Sequence, residues 1–196
     1  MRITGGSLKG RLIEVPKKFD LRPTTERVRE AVFSTLYSFG VESPKSVLDL
    51  YAGSGMFGVE SLSRGAEQAV FVEKHKALAK LLESNLNLLG LGSRSKVENY
   101  DVLSLINRGS RYLSRFDLIF VDPPYAEHPG GALIIELLNN GWVASGGKIV
   151  VESASGKEQF ADIYESSNSS QQGCCKASLL KQKQYGDTQI SYFGVG

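Results

Sequence analysis

Only two cysteines occur among the 196 residues, and they are adjacent, Cys174 and Cys175. Neighbouring cysteines make a poor structural disulfide and at best half a zinc site, which argues against a disulfide-stapled or zinc-nucleated fold. A reduced protein without a metal is expected. Long apolar runs are missing too: no stretch approaches the roughly 18 residues needed to span a bilayer, and the opening Met1-Arg2-Ile3-Thr4-Gly5-Gly6 has no apolar signal core. The expectation is a soluble, cytoplasmic protein without a membrane partner. A large excess of charge of one sign is also absent, the net being +2. What is present is 41% hydrophobic residues, enough for the core of one ordinary domain, which excludes disorder throughout.

The small net charge is unevenly spread. Residues 1–30 hold eight Lys or Arg against four acids, a local +4 that leaves −2 for the rest. A basic N-terminal segment on a slightly acidic body points to an anionic partner at that end.

In chain order, Ile3 to Val15 is broken by Gly5-Gly6 and Gly10 and predicts a β-hairpin with too few apolar residues to fold alone. Next, Thr24 is placed as the N-cap of a helix carrying Val28, Ala31, Val32, Leu36 and Phe39 at helical spacing and ending at Gly40. Its other face would show Arg27, Arg29, Glu30 and Ser34, for which a solvated surface is the plain alternative. From Ser46 the pattern alternates strand and helix. Strands are expected at Val47–Tyr51, Ala69–Glu73, Lys96–Tyr100, Phe116 to Asp122 and Gly147–Glu152, with helices over Phe57–Arg64, His75–Leu89 and Ala132–Asn140. Such alternation means a mainly parallel sheet with helices on both faces. Ser153 to Gln172 predicts little beyond one short helix around Phe160–Tyr164, and Lys176–Gln184 with Thr188–Phe193 predicts an antiparallel hairpin turning at Tyr185-Gly186-Asp187.

Two stretches carry chemistry. Gly53-Ser54-Gly55-Met56-Phe57-Gly58 fits G-x-G-x-x-G, with Glu73 twenty residues after Gly53. That spacing is the dinucleotide fingerprint. Asp49 argues against a pyrophosphate, since its carboxylate close before the loop favours a cation such as the amino group or sulfonium of S-adenosylmethionine. The other stretch is Phe116-Asp117-Leu118-Ile119-Phe120-Val121-Asp122-Pro123-Pro124-Tyr125, a buried strand that stops in a carboxylate, two prolines and a tyrosine. Asp122 and the Pro123 carbonyl could each accept one hydrogen of an exocyclic amine and aim its lone pair at an electrophilic methyl, with Tyr125 stacking on the base. A simple Asp-Pro-Pro turn is the alternative reading.

Taken together, Asp49-Leu-Tyr-Ala-Gly-Ser-Gly55, Glu73, Asp101 and Asp122-Pro-Pro-Tyr125 resemble the ordered motifs of class I S-adenosylmethionine-dependent methyltransferases. Arg2-Ile-Thr-Gly-Gly6, Leu21-Arg-Pro-Thr24, Arg27-Val-Arg-Glu-Ala31 and Tyr185-Gly-Asp-Thr188 narrow the resemblance to the RsmD-like family of 16S ribosomal RNA guanine-N2 methyltransferases. The resemblance implies a Rossmann-like, doubly wound α/β fold with a seven-stranded, mostly parallel sheet, an antiparallel last strand and a small N-terminal β-hairpin. It implies an RNA-facing extension over residues 1–40 and a catalytic domain over 41–196. S-adenosylmethionine would be held by Asp49, Tyr51, Gly53, Ser54 and Gly55, by Glu73 at the ribose, by Asp101 and Val102 at the adenine, and by Asp122. Asp122, Pro123 and Tyr125 would serve the target amine. Arg2, Lys9, Arg11, Arg22, Thr24, Arg27 and Arg29 would meet RNA of the small ribosomal subunit, with the protein acting as a monomer. Tyr51 and Met56-Phe57 depart from the family pattern, and Ser153 to Lys176 matches no part of it. The Asp-Pro-Pro-Tyr loop itself leaves adenine N6 and cytosine N4 open as targets. A nicotinamide-dependent oxidoreductase would leave Asp101 and that loop unused, and a noncatalytic RNA-binding module would need no cofactor loop.

Overall fold

A computed structural model describes residues 1–15, 24–109, 115–124, 130–167 and 176–196. Arg22, Tyr125, Cys174 and Cys175 therefore lie outside the described residues. Two compact units divide the chain, Met1–Tyr100 and Asp101–Gly196.

The first unit is built on three parallel strands in the order β3-β2-β1: β1 (Ser46–Leu50), β2 (Gln68–Val72) and β3 (Ser95–Glu98). Val47 pairs with Ala69, Leu50 with Val72, and Val72 with Glu98. All five residues of β1 are buried, the unbroken pattern expected of a parallel strand covered on both sides. Helix α1 (Glu26–Ser38) precedes this sheet, and α2 (Met56–Ser63) and α3 (Lys76–Leu88) connect its strands. On α3, Leu78, Ala79, Leu82 and Leu86 form the buried stripe at three- and four-residue spacing. The N-cap of α1 is Thr25, whose side chain accepts from Val28 N at 3.3 Å, one residue beyond the expected Thr24.

The N-terminal segment closes by backbone bonds from Ile3 N to Arg11 O, Gly10 N to Ile3 O and Ile13 N to Met1 O, each 2.9 Å, with Arg2 bridged to Leu12. Ile3 and Ile13 are buried. This segment lies within the first compact unit. It is stitched to α2 and α3: Ser7 N donates to Ser63 O, Leu8 N to Ser63 Oγ, and Glu14 exchanges two bonds with Asn85. At Gly6 (φ 77°) the backbone passes so close to Ser63 that a Cβ would overlap its carbonyl.

The second unit begins with α4 (Val102–Ile106), a helix too short to stand out in the sequence. It continues with β4 (Phe116–Val121), α5 (Gly130–Asn139), β5 (Val143–Ala154), β6 (Ile163–Glu165), β7 (Lys176–Tyr185) and β8 (Thr188–Val195), whose strands lie in the order β4-β5-β8-β7-β6. Strand β4 runs parallel to β5, and β8 is antiparallel to both of its neighbours, β5 and β7. The architecture is α/β, with the expected hairpin turning through Gly186 (φ 60°). Eight strands form among the described residues, one more than expected. The additional one is β6, in the stretch where a short helix was expected. Tyr164 pairs with Ala177, and Phe160 and Tyr164 pack edge-on against Phe193 at 5.5 and 5.8 Å. Edge pairing and aromatic packing thus override local helical pattern. Trp142 anchors the other end, stacked on Phe116 and donating Nε1–H to Ile106 O at 3.0 Å.

Candidate functional site

Strand β1 delivers Asp49 and then leaves the sheet through three left-handed residues, Tyr51 (φ 58°), Gly53 (φ 53°) and Gly55 (φ 75°). Tyr51 is the only described non-glycine residue at positive φ, a strained conformation for a bulky side chain of the kind that collects at functional loops. The turn is tied down by Ala52 N to Val72 O at 2.9 Å and Gly55 N to Ala52 O at 2.6 Å. Both later glycines of G-x-G-x-x-G are sterically required. Gly55 adopts a φ of 75°, which strains any other residue, and a Cβ on Gly58 would overlap the Phe71 ring, so α2 can lie this close to β2 only with glycine at 58.

Two acids frame the loop. Glu73, buried just past β2, accepts from Gly53 N at 2.9 Å through Oε2 and from His75 N at 2.7 Å through Oε1. It thereby joins the glycine loop to the start of α3. Asn99, which the sequence reading passed over, supports this corner by donating to the carbonyls of Glu73 and Lys74 at 2.8 and 2.9 Å. Asp49 is buried and accepts from Gly58 N at 2.9 Å. Desolvation pushes its carboxyl from 3.8 up to about 7; the Gly58 bond opposes this and repulsion from Glu73 adds to it. Asp49, Gly53, Gly55 and Glu73 are therefore gathered as one corner, with half-buried Ser54 beside them, its Oγ 3.7 Å from Met1 Sδ.

In the second unit, Asp101 is the N-cap of α4, its Oδ1 accepting from Ser104 N at 2.9 Å, and Val102 is buried behind it. This is a local structural use of that carboxylate which the sequence reading did not foresee. Asp122 stands half-buried immediately after β4, followed by buried Pro123 and exposed Pro124. The strand thus ends in a carboxylate at its carboxyl edge, with Pro123 and Pro124 carrying no N–H to extend the ladder. Tyr125 lies outside the described residues.

The basic residues divide. Arg2, Lys9, Arg11 and Arg27 are exposed, while Thr24 is half-buried. Arg29 is a correction: its side chain is 1% exposed and faces inward. It donates to Glu60 Oε1 at 3.3 Å, Thr24 O at 2.6 Å and Arg2 O at 2.8 Å. Buried Glu60 on α2 also accepts from Thr4 N and Oγ1 and from Arg64, whose guanidinium lies 4.6 Å from the Phe33 ring centroid. A charge buried in α2 needs such partners, and Glu60, the one charged residue of that helix, was the available signal of this network. Arg22 lies outside the described residues. Among the described residues, no three His, Cys, Asp or Glu side chains are grouped to hold a metal ion, and no helix is long and apolar enough to cross a membrane.

Residues 1–194 match the family described as Conserved hypothetical protein 95. Ribosomal RNA small subunit methyltransferase D of Escherichia coli (strain K12) is 38% identical over 153 residues, covering 78% of this chain and 74% of that one. Its namesake in Haemophilus influenzae (strain ATCC 51907) is 34% identical over 158 residues, covering 80% of each. Among solved structures, yhhF from Escherichia coli superposes with a TM-score of 0.79 at 33% identity, over 100% of this chain and 97% of that one.

Proposed function

The chain belongs to the Conserved hypothetical protein 95 family, the RsmD-like ribosomal RNA methyltransferases, and on that premise we propose that it methylates the exocyclic N2 amine of a guanine in small-subunit ribosomal RNA. The reading is of a monomer acting in the cytoplasm on the assembled subunit, with S-adenosylmethionine as methyl donor.

The observation that carries the reading is the corner formed by Asp49, the left-handed glycine loop and Glu73. It suits this donor better than a dinucleotide. Each Glu73 oxygen accepts one backbone N–H and retains capacity for a ribose hydroxyl. Asp49, whose ionisation is opposed by burial, gains a reason to ionise beside a cation and would repel a pyrophosphate. S-adenosylmethionine bound there would supply an electrophilic methyl group on a sulfonium, whose S–CH3 bond would break to leave a neutral thioether. Tyr51, Ser54 and Gly55 would complete the methionine side, and Asp101 and Val102 would serve the adenine.

The target amine is a poor nucleophile because its lone pair is delocalised into the ring. Asp122 and the Pro123 carbonyl each accept one amine hydrogen, favour a pyramidal nitrogen and orient its lone pair, with Tyr125 stacking on the base. After transfer the nitrogen is cationic, and Asp122 or water takes its proton. Exposed Arg2, Lys9, Arg11 and Arg27, joined by Arg22 and the Thr24 hydroxyl, meet RNA phosphates.

Two measurements test this. In calorimetric titrations, S-adenosylmethionine should bind and NAD should not. With undermethylated small subunits and tritiated donor, label should appear as N2-methylguanine on nuclease digestion, and Asp122→Ala should slow transfer on the order of a hundredfold while donor affinity stays within a few fold. NAD binding, label on another base, or transfer by Asp122→Ala at the parent rate would each overturn its part of the reading.

A further inference from the structure

Acceptors at Asp122 and Pro123 suit any exocyclic amine, so guanine, adenine and cytosine are told apart by the ring atom beside that amine. The second unit's sheet sets another acid next to Asp122. Val121 at the end of β4 is level with Val151 on the parallel strand β5, so the residues next in line, Asp122 and Glu152, follow level with each other at the carboxyl ends of the two strands. Side chains alternate along a strand and level neighbours share a face, which puts Leu118, Phe120 and Asp122 on the same face as Lys148, Val150 and Glu152. With neighbouring strands about 4.8 Å apart, the two carboxylates serve one place. That place is outside the carboxyl ends of parallel strands, where ligands of open α/β sheets bind.

Glu152 stands in surroundings that disfavour an acid. It is 6% exposed, follows buried Val150 and Val151 along β5, and is level on its other side with fully buried Ile190 of β8. A carboxylate among such neighbours and beside a second carboxylate is costly to the fold, and acids kept at that cost gather where a ligand uses them.

We infer that Glu152 is a specificity-determining residue that accepts the N1–H of the target guanine while Asp122 accepts from its N2 amine. This rests on the methyl-transfer reading above and adds the choice of base, which the amine acceptors alone do not make. Guanine presents two neighbouring nitrogens that both donate, matching two carboxylates that stand level. Adenine sets the lone pair of N1 beside its N6 amine, and cytosine that of N3 beside its N4 amine; either lone pair would face the Glu152 carboxylate and be repelled. A carboxylate has two oxygens and about four acceptor sites, so the bond from N1–H adds to those Glu152 accepts from the protein. No proton leaves N1 in the step: the one released comes from N2 and goes to Asp122 or water.

The test uses 2,6-diaminopurine, which keeps the N2 amine of guanine but carries a bare lone pair at N1. Small-subunit RNA is ligated to hold either base at the position that the parent labels, reconstituted into subunits, and given tritiated donor with the parent, Glu152→Gln and Glu152→Asp, with calorimetric donor affinity and melting temperature measured alongside. The parent should favour guanine by about a hundredfold or more in kcat/KM. Glu152→Gln, whose amide can donate to a bare N1, should lose about tenfold on guanine and narrow that preference at least about tenfold, with donor affinity within twofold of the parent. Glu152→Asp, which keeps the charge, should hold the preference better than Glu152→Gln. A parent that methylates diaminopurine as well as guanine, a Glu152→Gln variant with the parent's preference, or equal losses on both bases with weakened donor binding or lowered melting overturns this inference alone. A parent that labels no RNA overturns it together with the reading on which it stands.

Discussion

At the residue scale, Asp49 makes stability depend on pH and, on the proposed reading, couples it to cofactor binding. With the folded carboxyl raised from 3.8 to about 7, the folded state holds a proton that the unfolded state has released across that interval. Stability therefore falls as pH rises from about 4 to about 7 and levels off above, by at most about 4 kcal/mol at 1.36 kcal/mol per pKa unit. Asp49→Asn keeps an acceptor for Gly58 N–H and removes the titration. Without cofactor it should melt above the parent at pH 8, with the difference closing toward pH 4. Its affinity for S-adenosylmethionine should drop about tenfold or more, because the anion facing the donor's cation is gone. Equal melting of the two proteins across this range would show that Asp49 ionises at no cost. The sequence places Asp49 beside the glycine loop, but its titration depends on burial beneath α2 and on the field of Glu73, neither of which a linear pattern contains.

At the element scale, α1 and the N-terminal segment are held to α2 by Arg29 and Glu60 and so share its position. Arg27 and Arg29 are two residues apart, about 200° around a helix, and only one of them meets solvent. Arg29→Ala leaves Glu60 buried with fewer partners and should cost about 3 to 5 kcal/mol in urea unfolding. Arg27→Ala should change stability by less than about 0.5 kcal/mol. In RNA binding the roles reverse: Arg27→Glu with Arg11→Glu should weaken binding, and the loss should shrink as salt rises because fewer counterions are released. Parent-like unfolding of Arg29→Ala would remove the network from any structural role. The helices and most strands were legible because buried runs, caps and glycine stops are local. Strand β6 and Asp101-capped α4 were not, since three paired residues at a sheet edge and a single helical turn leave no period to read.

On the scale of the whole molecule, the charge available for RNA is modest, a local +4 in the first 30 residues against −2 elsewhere, with Arg29 withdrawn into the interior. So few exposed cations bind unstructured RNA weakly, which favours a target already shaped by subunit proteins. With tritiated donor, undermethylated small subunits should label well and deproteinised 16S RNA poorly. Equal labelling of both would overturn the assembled-subunit reading.

The class of chemistry was legible in the sequence because the residues proposed to carry it sit at or beside strand ends: Asp49 near the end of β1 before the glycines, Glu73 after β2, Asp122 and two prolines after β4. Breaking a strand is a local act of glycine and proline, so the ends of β1 and β4 can be read from a short window of residues. Which charges are surface and which are scaffold followed from packing. Arg29 turns inward because Glu60, 31 residues away, needs a cation. Burial and partnership at such separations are set by packing, which no local window of residues encodes.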